Sequence, residues 1–160
     1  MRFEKILVPT DFSENAHADL EKAYDLARQL QATLYVLHIQ DGSAVRVAIK
    51  EELLSADSTD EQLQTTVHQL IAEQFSEMSA GLDRSQLSIE CVSRRGRPKA
   101  GIVKYAKEIN ADLVVIGMRG ITAMSMVTSA ALGSVAESVL RRPPCPTLIV
   151  RTEHQRDRTE

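Results

Sequence analysis

Short apolar runs alternate along this chain with longer segments in which apolar residues recur every three or four positions. Five runs rich in β-branched residues predict strands: Lys5–Val8 (KILV), Thr33–Ile39 (TLYVLHI), Leu87–Val92 (LSIECV), Asp112–Ile116 (DLVVI) and Thr147–Val150 (TLIV). Between them the period changes to that of a helix. Ser13 precedes a segment with Ala16, Leu20, Ala23, Ala27 and Leu30 at helical spacing, and is its predicted cap. A longer helix is predicted from about Thr59 to about Ala80, with Leu63, Val67, Leu70, Ile71 and Phe75 on one side and Gly81 at its end. A third carries Ile102, Val103, Ala106 and Ile109. A fourth opens at Gly133-Ser134 and stops at Pro143-Pro144. Residues 43–58 read either as a helical turn or as a mobile segment leading into a polar loop, and the polar tail 152–160 is expected to fray.

Strands alternating with helices predict an α/β domain: a parallel sheet covered by helices on both faces. In such sheets ligands bind beyond the carboxyl ends of the strands, where the strand order reverses. Pro9-Thr10-Asp11, Ile39-Gln40-Asp41 and Gly117–Gly120 all follow predicted strand ends, so one rim gathers the candidate chemistry. Ser93-Arg94-Arg95-Gly96-Arg97-Pro98 is predicted as a basic turn, either solvated or an anion site.

The 160 residues suit one domain, taken as 1–151 with the tail at 152–160. Apolar residues at 43% and charged residues at 26% are ordinary for a soluble protein, and no apolar stretch is long enough to span a bilayer. MRFEKILVPTDFS enters a strand directly, so a cytoplasmic protein is expected. A net charge of −3 provides no general attraction to nucleic acid or an anionic membrane. Cys91 and Cys145 lie far apart with no CxxC spacing, which points to ordinary thiols rather than a metal site or disulfide framework.

The richest stretch runs from Asp112 to Val150. Its strand ends in Gly117-Met118-Arg119-Gly120, and twelve uncharged residues then lead to Gly133-Ser134 at a helix start. Glycine lets the backbone approach an anion closely, and a helix N-terminus offers unpaired N–H groups with partial positive charge. Ser134 adds a hydroxyl, either for an anion or as the helix's own cap. Asp11 reads as a turn residue or a ligand, and Arg119 as a phosphate partner or a solvated loop residue. His38, among apolar neighbours, reads as a satisfied core or rim histidine, and Met124 and Met126 read as packing. His17, His68 and His154 have no local metal-ligand spacing.

Taken together, KILVPTDFS, VLHI and GSVAESVLRRPPCPTLIV resemble the universal stress protein family over nearly the whole chain. The resemblance implies a flavodoxin-like (Rossmann-like) five-stranded sheet of order 3-2-1-4-5, and a homodimer through the last strand, Thr147–Val150. It also implies a Gly-x2-Gly-x9-Gly-Ser/Thr loop for ATP. On that pattern Gly117, Gly120, Gly133, Ser134 and Val135 would hold ribose and phosphates. Asp11, flanked by Pro9 and Thr10, would lie near adenine or ribose, and Ile39 and Ile116 would wall the base. Here twelve residues, not nine, separate Gly120 from Gly133. Such an extension costs little loop entropy. The extra residues either bulge outward with both anchors in place or fold into the pocket and close it.

The leading expectation is therefore a dimeric stress-response module that holds ATP, ADP or AMP, with Mg²⁺ as a companion of the phosphates. A nucleotide-independent interaction dimer is second. A slow ATPase is third, because no GxxxxGK[ST] loop and no nucleophile–base pair can be read. A receiver-type phosphoacceptor would want paired acidic residues after the first strand, where only Asp11 stands.

Overall fold

The fold is taken from a computed structural model that describes residues 2–51, 53, 55, 57–118 and 132–151. The elements run β1 (Lys5–Thr10), α1 (Glu14–Leu30), β2 (Thr33–Gln40), α2 (Ser43–Lys50), α3 (Asp60–Ser79), β3 (Ile89–Arg95), α4 (Pro98–Glu108), β4 (Leu113–Gly117), α5 (Ser134–Arg141) and β5 (Thr147–Val150). The five strands form one sheet of order β3-β2-β1-β4-β5, and every pairing is parallel.

Both faces are covered, which is why the inner strands β1, β2 and β4 are nearly continuous apolar runs, whereas the edge strand β3 alternates. Ile6, Val8, Leu34, Val36, Leu113 and Val115 point to the face packed by α1 (Ala16, Leu20, Ala23, Ala27) and α3 (Val67, Ile71, Phe75, Met78). The intervening Leu7, Leu37, Ile39, Val114 and Ile116 point to the face packed by α4 (Ile102, Tyr105, Ala106) and α5 (Ala136, Val139). Asp112 ties the amino-terminal rim together, its carboxylate accepting from the Glu4 and Lys5 amides at 2.9 and 3.0 Å.

Several boundaries differ from the sequence reading. β1 continues through Pro9 and Thr10, which pair with Leu37 and His38 instead of forming a turn. β3 begins at Ile89 and continues to Arg95, so Ser93, Arg94 and Arg95 are strand residues. Arg94 then leans onto α4, 3.6 Å from Glu108 and 5.2 Å from the centre of the Tyr105 ring, which accounts for its charge without an anion. Leu30 is 40% exposed because α1 ends there, with Gln31 in the left-handed region. The stretch left open at residues 43–50 is helical. Gly133, not Ser134, is the N-cap of α5, and Ser134 is the first residue inside the helix.

Candidate functional site

β1 and β4 lie side by side, but their following segments leave in opposite directions, α1 over one face and α5 over the other. A cavity of about 310 Å³ opens at their carboxyl ends, within the size range of small-molecule pockets. Its lining includes Pro9, Thr10, Asp11, Ile39, Ile116, Gly117, Gly133, Ser134 and Val135. Nine of the eleven residues singled out from sequence thus meet in one place. The other two, Arg119 and Gly120, lie outside the described residues, as do Met124 and Met126.

The β1 end is internally bonded. The Thr10 hydroxyl accepts from the Phe12 amide at 3.0 Å and donates to Met78 Sδ at 3.3 Å. Asp11 Oδ1 accepts from the Ser13 amide at 3.1 Å, so Asp11 does shape the turn and also lines the cavity. Ser13 Oγ in turn caps α1 by accepting from the Ala16 amide at 3.2 Å. His38 is buried beside this turn. Its Nδ1 donates to the Thr10 carbonyl at 3.0 Å, and its ring lies 4.5 Å from that of Phe12. Burial lowers the His38 pKa, against the upward pull of the Thr10 bond, Asp41 and Asp11, so the imidazole is neutral at pH 7.

The glycine end is built differently. The Gly133 amide donates to the Met118 carbonyl at 2.8 Å, and the Met118 amide donates to Val150 at 2.9 Å. The two ends of the lengthened loop are therefore joined, with the start of α5 beside the end of β4. Gly133 has no side chain to accept from the first turn, and Ser134, Val135 and Ala136 line the cavity. An uncapped helix start facing a cavity is an anion-binding arrangement.

Gly117 is required by contact rather than by φ. A Cβ there would fall 2.7 Å from Asp19 Cγ and closer still to Oδ2. Asp19, on α1, is buried at 4% exposure and lines the cavity, as do Asp41 and Arg46. The sequence reading placed Asp41 on this rim with Ile39 and Gln40, and missed Asp19 and Arg46. For Asp19 a signal was available, since it interrupts the stripe Ala16, Leu20, Ala23 with a carboxylate at helical spacing. Among the described residues, no group of three His, Cys, Asp or Glu side chains could hold a metal. No described helix is long and apolar enough to cross a membrane.

The sequence pattern of the Universal stress protein family matches residues 2–151. A putative universal stress protein of Staphylococcus haemolyticus is 31% identical over 154 residues, covering 96% of this chain and 87% of that one. A solved universal stress protein in complex with cAMP superimposes with a TM-score of 0.63 at 22% identity, covering 96% of this chain and 100% of the other. The universal stress protein from Archaeoglobus fulgidus in complex with dAMP gives 0.59 at 22% identity, covering 93% and 98%. The strand order and the match over residues 2–151 agree, and the chain belongs to the universal stress protein family.

Proposed function

We propose that the protein is a stress-response module that binds an adenine nucleotide in the cavity at the β1/β4 carboxyl ends. The observation that carries this reading is the Gly133–Met118 hydrogen bond, which brings an uncapped helix start to the end of β4 despite the longer loop. In this assignment Gly117, Gly133, Ser134 and Val135 hold ribose and phosphates, with Arg119 and Gly120 completing the loop. Pro9, Thr10 and Asp11 lie along the nucleoside, and Ile39 and Ile116 form the apolar wall for the base. The cAMP and dAMP complexes of related proteins support adenine as the base. Mg²⁺ would enter with the phosphates of ATP or ADP.

The same reading makes the protein a cytoplasmic homodimer through β5. That strand is an edge of the sheet, and Leu148 on it is 42% exposed, so a second copy would cover both the unpaired backbone and the apolar side chain. Sedimentation of a Leu148→Asp variant as a monomer is the expected result. A surviving dimer would assign the contact elsewhere.

The test of the main reading is to heat-denature fresh protein, identify released nucleotide by chromatography, and titrate ligand-free protein with AMP and with ATP and Mg²⁺ by calorimetry. Stoichiometric adenine nucleotide or micromolar binding is expected. A blank in both would replace this reading with a nucleotide-independent interaction dimer.

A further inference from the structure

Gly101 stands inside α4, where glycine weakens a helix relative to alanine and needs a reason. Its amide already donates to the Arg97 carbonyl at 2.8 Å, and its φ is not positive, so the backbone there accepts alanine. The reason is a contact. A Cβ at 101 would fall 2.8 Å from Ile39 Cδ1 and 3.1 Å from Ile39 Cγ1, closer than side chains pack. Ile39 lies near the end of β2 and is 5% exposed. It packs on the same face as Ile102, Ile116 and Ala136, and shares the cavity lining with them. Ile39 thus rests on Gly101 and also borders the cavity.

The geometry points to Gly101 as a positioning residue that sets the depth of the cavity by letting the Ile39 side chain lie back against α4. This rests on the nucleotide reading above and deepens it, because Ile39 is there part of the wall for the base. A methyl group at 101 forces Ile39 to move, since Cδ1 cannot stay at that distance. Ile39 is β-branched and has few alternatives at χ1. Its neighbours in the sheet and on α4 and α5 are close-packed, so the open direction is the cavity. The end of the Ile39 side chain then takes up space that the base needs. Glycine at 101 therefore acts on the ligand through Ile39 and touches no ligand atom itself.

The experiment measures urea midpoints, and binding of AMP and of ATP with Mg²⁺ by calorimetry, on wild type, Gly101→Ala, Ile39→Val and the two changes together. Gly101→Ala is expected to weaken both nucleotides roughly tenfold, the scale of one methylene in an apolar pocket. Both carry the same base, so both should lose alike. The urea midpoint should not fall, because alanine favours the helix and Ile39 yields into open space. Valine lacks Cδ1, the atom nearest to position 101, so the double variant should recover affinity to within about threefold of wild type. Unchanged affinity in Gly101→Ala overturns the inference and leaves the nucleotide reading standing. So does a loss that the double variant fails to recover, or one accompanied by a lower urea midpoint, since either would make Gly101 a matter of packing alone. If wild type binds neither nucleotide, the nucleotide reading itself fails and the inference falls with it.

Discussion

The starts of α1 and α5 stand on the same rim and line the same cavity, yet they treat their free amides in opposite ways. At α1 the chain closes on itself. Asp11 accepts from Ser13, Ser13 accepts from Ala16, and Glu14 adds a negative charge to the first turn. At α5 the cap is a glycine, whose own amide is held by Met118 and whose missing side chain leaves the first turn uncapped. The only acidic residue of that turn, Glu137, is held below the usual carboxylate range by its bond to Arg141, and both are exposed. One helix start is closed by the chain's own side chains, and the other leaves its first turn uncapped beside the cavity. The difference lies in a single side-chain acceptor at the N-cap.

The sharpest way to break this contrast is to cap the open helix. Gly133 has φ −64° and ψ 150°, a conformation open to aspartate. Gly133→Asp should change helix stability by only a few tenths of a kcal/mol while its carboxylate competes with phosphate. Adenine-nucleotide affinity is expected to fall about 100-fold in calorimetry, corresponding to about 2.7 kcal/mol. Unchanged affinity would mean that phosphate does not sit at α5.

Next in size is the contact between the two sides. Gly117→Ala drives a methyl into the Asp19 carboxylate and should lower the unfolding free energy in urea by about 1–3 kcal/mol. Adding Asp19→Ala should recover much of that loss, a coupling readable from the double-mutant cycle. If the two losses simply add, Asp19 is not what makes glycine necessary at 117.

Opening the closed helix is the complementary change. Ser13→Ala removes the α1 cap and should cost about 1 kcal/mol of stability with nucleotide affinity unmoved. A parallel loss of affinity would show that the α1 start also serves the ligand.

The smallest effect concerns His38, which supports the closed end through the Thr10 carbonyl. Its pKa is lowered in the folded protein, chiefly by burial. The unfolded chain therefore binds the proton at a higher pH than the native state does. The stability this provides is complete above the ordinary histidine pKa of about 6.5 and is lost as pH falls through the lower folded value. Urea midpoints between pH 7.5 and pH 5 should decline in wild type and decline less in His38→Gln. Identical slopes would remove His38 from the account.

Much of this molecule could be read from the chain. The strands and helices follow from the switch between short β-branched runs and helical spacing, and Ser13 and Thr59 were legible as helix starts, Thr59 forming a full capping box with Gln62. Boundaries were harder. Pro9 signals a turn locally, but β1 lies between β2 and β4 and the sheet carries the strand two residues further. Arg94 and Arg95 suggest a loop by their charge, although β3 is an edge strand and its ends can remain in water. The order of the sheet and the nucleotide assignment came from the family resemblance rather than from periodicity.

By itself, the sequence determined the α/β alternation and the rim on which the chemistry gathers, because these depend on neighbours within a turn or two. It left Ser134 open as the cap of α5, and the structure gave that place to Gly133. Only the tertiary structure decided that Met118 would meet Gly133 across the longer loop, and that Asp19 would press on Gly117. Those contacts join segments far apart in the chain. A helical period shows that Asp19 faces inward, but not which strand it meets, since that depends on how α1 packs over β1 and β4.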